Sequence, residues 1–346
     1  MNLANRRLLI QIALIALPVA VICFVAMHSS KTAHYFDFSL NFIADKYQGI
    51  WKLILVDFLL FFGILGAIAL YKGWNGSALK RLIVRPSGSA VHDLVMTILR
   101  VTYITEVLVY LFTFGLIKLI RPHLQGFIHF EWLSIPSVDS FLIQQLIFLL
   151  LIDFSYYWMH RIEHNVPFLW AFHKFHHSAT EMNVITTKRV HPIESDFIKP
   201  VFFALPLAIF GVPLYSYIII RIIFKFHGAI VHSGLNWNWG WFGKYILLSP
   251  KYHSIHHSIA PEHQNKNYAN HFPIFDHLFG TYYAEEDDQI IYGVQDDNHN
   301  DTNVIHALWI GITESFNALT IFFSGDKNPE TVEASNSKQS DDSETP

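Results

Sequence analysis

The sequence predicts an all-α integral membrane protein with four transmembrane helices, a re-entrant helical hairpin and a cytosolic helical cap rich in histidine. Three observations predict it. Of the 346 residues, 52% are hydrophobic and 16% aromatic, and the mean hydropathy is positive, which is too apolar for an ordinary soluble chain of this size. Apolar runs at about 8–27, 50–71, 93–120 and 139–159 are each long enough to cross a hydrocarbon core about 30 Å thick as helices rising about 1.5 Å per residue. The basic residues and most of the histidines fall in segments that these crossings return to one side of the bilayer.

Arg6 and Arg7 precede the first run, as they would in a signal peptide. Its length, the lack of a small-x-small cleavage site and the runs that follow favour a retained helix. Lys72, Lys80, Arg81 and Arg85 lie between the second and third runs, so both basic stretches are expected in the cytoplasm. Four crossings bring the chain back there near His160, and Arg161, Lys174, Lys188, Arg189 and Lys199 agree in sign. Residues 200–226 are apolar but interrupted by Pro206, Gly211 and Pro213. A single crossing would separate the later histidines from the earlier ones, so a hairpin turning near Gly211 and dipping into the bilayer is expected. Residues 284–303 are polar and loop-like, 304–323 look like an interfacial helix, and the acidic tail has the composition of a disordered segment. The predicted divisions are N-terminal membrane helices and loops (1–138), a histidine-rich catalytic domain (139–283), a polar loop with an interfacial helix (284–324) and the tail (325–346).

A formal charge of -4 and the absence of a basic stripe set nucleic acid aside. The single cysteine, Cys23, excludes an intramolecular disulfide and cysteine-based metal sites. Any metal must therefore use nitrogen and oxygen, and the 21 histidines are about three times the usual share. They cluster: His160 with His164; His173, His176 and His177; His227 with His232; His253, His256 and His257. On a helix, positions i, i+3 and i+4 share a face, so H-x-x-x-H and H-x-x-H-H aim imidazoles at one point. The clusters hold more imidazoles than one ion takes, and two metals fit the count. No Glu-x-x-His pair of the ferritin type is present. Isolated histidines such as His92, His123 and His129 are given no role.

The runs DFSYYWMHRIEH, FHKFHHSA, RVHPIE, KYHSIHHSIAPEHQNKNYAN and FPIFDHLFGTYY, in this order over about 150–283, resemble the integral-membrane fatty acid hydroxylase / sterol desaturase superfamily. That resemblance implies a non-haem di-iron centre, in which zinc can stand in purified protein, and O2 as co-substrate. It also implies electrons from an external donor, cytochrome b5-like or ferredoxin-like, and hydroxylation or desaturation of a lipid such as a sterol, fatty acyl chain, carotenoid or alkyl ether. By position the implied ligands are His160, His164, His173, His176, His177, His232, His253, His256 and His257. Gly228 stands where members often carry Gln or His, which leaves His227 open as a ligand. His191 is open between a tenth ligand and a structural residue.

Asp153 lies two turns before His160 and is expected to act behind the metal ligands or in structure. Glu163, Glu194 and Asp276 are candidates to hold imidazole N–H groups, with surface ion pairs as the plain alternative. Asn267 and Asn270 are candidates to tie the loop after the last box. Tyr156, Tyr157 and Trp158 are candidate channel residues or interfacial aromatics. Two other functions compete. A histidine-rich metal transporter would place ligands in broken helices at mid-membrane. A membrane zinc hydrolase would need Glu163 as general base in an inverted zinc box. The compact architecture, without a C-terminal di-lysine signal, leans toward a bacterial inner membrane rather than the endoplasmic reticulum, with the catalytic face cytoplasmic.

Overall fold

A computed structural model describes residues 50–112, 141–200, 202, 214–284 and 290–324. The first apolar run, the turn of the expected hairpin and the acidic tail lie outside these residues. The helices are α1 (Ile50–Lys72), α2 (Ala78–Val84), α3 (Gly88–Val101), α4 (Ile104–Phe112), α5 (Phe141–Asn165), α6 (Pro167–His177), α7 (Leu214–Val231), α8 (Gly240–Tyr245), α9 (Pro250–His256), α10 (Ile274–Phe279) and α11 (Val304–Ser324). Among the described residues, strand-like pairing is confined to an isolated bridge between Ser258 and Tyr292. Among the described residues three helices are long and apolar enough to cross a membrane: Ile54–Lys72, Phe141–Asn165 and Val304–Ser324.

Helix α1 is apolar all round, with Leu55, Val56, Phe58 and Leu59 exposed, as expected of a lipid-facing segment. Asp57, Phe61 and Leu65, spaced by four, are buried and form its inward stripe. Phe61 and Leu65 pack with Val101, Val184 and Ala229, so three later segments close on this face.

The third apolar run is not one continuous helix. Ser87 caps α3 by accepting from Ala90 N at 3.1 Å. The helix then stops at Thr102 and Tyr103, where Tyr103 has φ 61°, a left-handed geometry unfavourable for a bulky residue. The buried face of α3 carries His92, Asp93 and Thr97. Their partners are protein: Asn183 Nδ2 and Thr186 Oγ1 donate to Asp93 at 3.0 and 2.5 Å, and Thr97 Oγ1 donates to Ile185 O at 3.2 Å. The buried face of α3 is therefore packed on the histidine-rich region.

Helix α11, expected at the interface by its scattered polar residues, has span length and packs along α6 through small residues. Ala307, Gly311 and Ser315 are buried, and Lys174 of α6 pairs with Glu314 at 2.8 Å. At Gly311 an added Cβ would come 3.1 Å from Ala171 O and 3.3 Å from the His191 ring. Gly311→Val should therefore lower stability by about 1–3 kcal/mol through overpacking, read as a drop in the thermal midpoint of detergent-solubilised protein.

Candidate metal centre

The first box ends α5, with His160 and His164 one turn apart. Asn165 closes that helix, and Pro167, whose fixed φ suits a first helical position, opens α6 with the second box. His232 follows the last turn of α7. Ser249 caps α9 by accepting from Tyr252 N, and Pro250 again stands at the first position of the helix carrying the third box.

These segments bring all nine predicted ligands together. His160, His164, His173, His177 and His256 form one group and His176, His232, His253 and His257 a second, with the ligand atoms of each group within 4.8 Å of one another. Each H-x-x-H-H box is divided. Its i, i+4 pair goes to one group and its remaining imidazole to the other, because positions i+3 and i+4 lie about 100° apart around a helix.

Ring orientation is fixed from behind. The Nδ1 atoms of His160, His256, His176 and His232 donate to the carbonyls of Tyr268 (2.7 Å), Lys266 (2.8 Å), Arg189 (3.0 Å) and Gly228 (2.8 Å). A neutral imidazole that donates from Nδ1 presents a bare lone pair at Nε2. Yet Nε2 of His160 lies 2.9 Å from Nε2 of His256, and Nε2 of His232 lies 3.3 Å from that of His176. The Nε2 atoms of His164, His173 and His177 are buried without a hydrogen-bond partner. Lone pairs facing lone pairs at this range repel unless a proton or a cation joins them. Burial opposes the proton: it pushes His232 down to about 4 and His256 to about 3, and holds His176 and His257 well below the usual range. A set of neutral, inward-facing imidazoles fits a divalent transition metal in each group.

The same burial makes metal-free protein acid-sensitive. Below pH 6.5 the unfolded chain protonates these histidines while the folded chain does not, so stability falls with falling pH until the folded-state values near 4 and 3 are reached. Each of His232 and His256 should cost about 1.4 kcal/mol per pH unit in that window. Thermal midpoints of chelated protein at pH 7 and 5.5 measure the loss, and metal should reduce it.

Behind the first group, Glu194 accepts from His173 Nδ1 at 3.0 Å and from Lys199 Nζ at 2.6 Å. Burial alone would raise the Glu194 carboxyl, but the Lys199 ammonium and His173 hold it well below the usual range. Glu163 Oε2 lies 3.6 Å from the same Nδ1. Asp276 touches no imidazole. It accepts from the backbone N–H of Tyr268 (2.8 Å) and Ala269 (3.0 Å) and from Thr281 Oγ1 (2.6 Å), fixing the loop whose Tyr268 carbonyl orients His160. Asp153 likewise accepts from Phe272 N at 2.9 Å. Asn267, with φ 53°, ties that loop by donating to Tyr252 O and Tyr283 O.

The two histidines left open by sequence lie outside both groups. His191 donates from Nε2 to Leu308 O at 3.0 Å and accepts from Ile193 N at 3.2 Å. His227 Nε2 donates to Leu248 O at 2.9 Å, and its Nδ1 meets His271 Nδ1 at 2.7 Å. Tyr157 is fully buried in an aromatic cluster with Tyr268 and Phe275, while the Tyr156 hydroxyl accepts from Arg221. Sequence reasoning missed Arg189, which is fully buried. Its side chain donates to Phe175 O (2.8 Å), Ser178 Oγ (2.5 Å) and Asn300 Oδ1 (2.8 Å) and pairs with Asp93 at 3.5 Å. Its place at the head of the box-like RVHPIE run was the available signal.

Residues 145–281 match the fatty acid hydroxylase family model. Over 147 residues the chain is 33% identical to alkylglycerol monooxygenase of Xenopus tropicalis, covering 41% of this chain and 31% of that protein. Over 163 residues it is 32% identical to an ornithine lipid hydroxylase of Rhizobium tropici, covering 47% of each. A very-long-chain aldehyde decarbonylase of Arabidopsis thaliana is 26% identical over 186 residues, 49% of this chain and 28% of that protein. The matches thus span about a third to a half of the length of these relatives. No solved structure matches the chain. The matched segment, which holds every one of the nine clustered imidazoles, is the part of the chain that is similar to the fatty acid hydroxylase family.

Proposed function

We propose that the chain is a membrane-bound, O2-dependent di-iron oxygenase that hydroxylates or desaturates a lipid with electrons from an external cytochrome b5-like or ferredoxin-like donor. The observation that carries this reading is the pair of buried groups whose neutral imidazoles direct bare nitrogens at one another. An aliphatic C–H bond offers nothing for an acid or base to act on, and two bound iron ions supply the redox chemistry with O2 that its oxidation needs. The protein holds the rings in the ligating tautomer, keeps the centre dry and sets the charge behind His173 through Glu194 and Lys199. In this reading the chain crosses the membrane four times. A re-entrant hairpin over 200–226 turns near Gly211 and returns through α7, and the centre faces the cytoplasm, in a bacterial inner membrane rather than the endoplasmic reticulum.

Two competing functions fit less well. A hydrolase needs Glu163 next to a metal-bound water, but Glu163 lies on the Nδ1 side of His173, whereas Nε2 is the atom without a partner. A carrier needs ligands that open and close, whereas four of these rings are tied to backbone carbonyls.

Aerobic, iron-replete expression followed by metal analysis and lipid mass spectrometry tests the reading. About two irons per chain and a lipid gaining one oxygen or losing two hydrogens are expected; an unchanged lipid profile in iron-loaded cells overturns it. Glu194→Gln should lower iron affinity or turnover by about 10–100-fold, as loss of a carboxylate behind a metal-bound histidine does. Iron titration and turnover of the variant measure this.

A further inference from the structure

Around the 3-10 turn Val184–Lys188 the helices gather a cluster of charge that the reaction described so far does not use. Lys188 ends the 3-10 turn Val184–Lys188. Thr187 Oγ1 donates to Gly228 O at 3.2 Å, which pins this turn to α7. The Lys188 ammonium, half-buried, lies 4.4 Å from the centroid of the Phe61 ring. One turn before Phe61, Asp57 accepts from Lys225 Nζ of α7 at 2.6 Å. Arg100 of α3 donates to Ser195 Oγ and has Asp196 at 3.8 Å.

The pairing is incomplete in one place. Lys225 has Asp57 and Arg100 has Asp196, but among the described residues no carboxylate lies within 4.0 Å of the Lys188 ammonium. A half-buried ammonium whose nearby carboxylate, Asp57, is already paired with Lys225 is under-compensated, and an anion would offset that cost. Burial, followed by the charges of Lys225 and Arg100, pushes Lys188 down to about 7. Apolar side chains of α1 surround the cluster, with Phe61 and Leu65 on its inward stripe and Leu55, Val56, Phe58 and Leu59 exposed on its outer side. The cluster also adjoins the metal centre through the backbone. Arg189, next in the chain, gives its carbonyl to His176, and Gly228 O accepts from both Thr187 and His232.

We propose that Lys188, flanked by Lys225 and Arg100, is a subsite for the anionic headgroup, carboxylate or phosphate, of the lipid substrate. A head anchored there presents carbons near the head, rather than the far end of the chain, to the second imidazole group. This rests on the lipid-oxidising reading above and narrows its substrate class.

The test is amine footprinting of iron-loaded full-length protein in neutral detergent, with acylation of Lys188 followed by peptide mass spectrometry. Oleate and dioleoyl phosphatidate should slow labelling of Lys188 by about tenfold or more, the scale of one charge-assisted contact. Their neutral twins, oleyl alcohol and dioleoylglycerol, should not. Equal protection by the neutral twins, protection by none of the four, or protection by inorganic phosphate alone would each overturn the subsite. Lys188→Met should weaken oleate binding by about 10–100-fold, with iron content and oleyl alcohol binding retained, and Lys188→Arg should restore oleate binding. Footprinting needs no turnover. A protein that binds anionic lipid at Lys188 but oxidises none would refute the oxygenase reading, and one that oxidises lipid without protection of Lys188 would refute the subsite.

Discussion

His257→Ala should yield folded protein that no longer oxidises lipid and that holds about half the wild-type iron. His257 is one of four imidazoles in the second group, and its removal leaves three, with a gap where a ring was. The first group shares no member with the second and should keep its ion, so the loss is expected to be partial in metal and complete in turnover. Metal analysis of purified protein and lipid mass spectrometry read the two quantities separately. His191→Ala is the contrast. Its ring is engaged by Leu308 O and Ile193 N, so the variant should lose about 1–3 kcal/mol of stability and no iron. Unchanged iron in His257→Ala would mean that the second group does not hold metal.

Asp93→Ala should be the most destabilising single change away from the imidazoles. Arg189 and Asp93 are both fully buried and pair at 3.5 Å, so alanine strands a guanidinium without its counter-charge. Breaking such a pair costs about 3–5 kcal/mol, much of the about 5–15 kcal/mol margin of an ordinary domain. The damage should reach the metal centre, because the Arg189 side chain ties down the end of α6 and its carbonyl orients His176. Thermal unfolding and iron content should fall together. Asp93→Ala combined with Arg189→Met removes the stranded charge and should recover part of the stability; a double variant less stable than either single one would contradict the ion-pair account.

Much of the centre was legible in the sequence because helical spacing is a local property. H-x-x-x-H and H-x-x-H-H fix which imidazoles share a face before any tertiary contact is known. The division of each box between two groups was not legible, since it depends on how α5, α6, α7 and α9 are rotated against one another. Nor were the acceptors that set the tautomers. The carbonyls of Tyr268, Lys266, Arg189 and Gly228 carry no side-chain signature. Within 93–120 mean apolarity conceals position: Asp93 and Thr97 are few, but they occupy one face of α3 with His92 and turn it toward protein. In 304–323 scattered polar residues drew the eye, and the small stripe of Ala307, Gly311 and Ser315 that packs on α6 went unread. His227 and His271 satisfy each other, a long-range pairing that a window of sequence does not display.

Because α6 and α9 each send side chains to both imidazole groups, neither helix can pivot without disturbing the two groups together. The spacing between the groups is thereby geared to the tilt of these two rods. A lipid that wedges them apart on entry would retune the whole cluster in one movement.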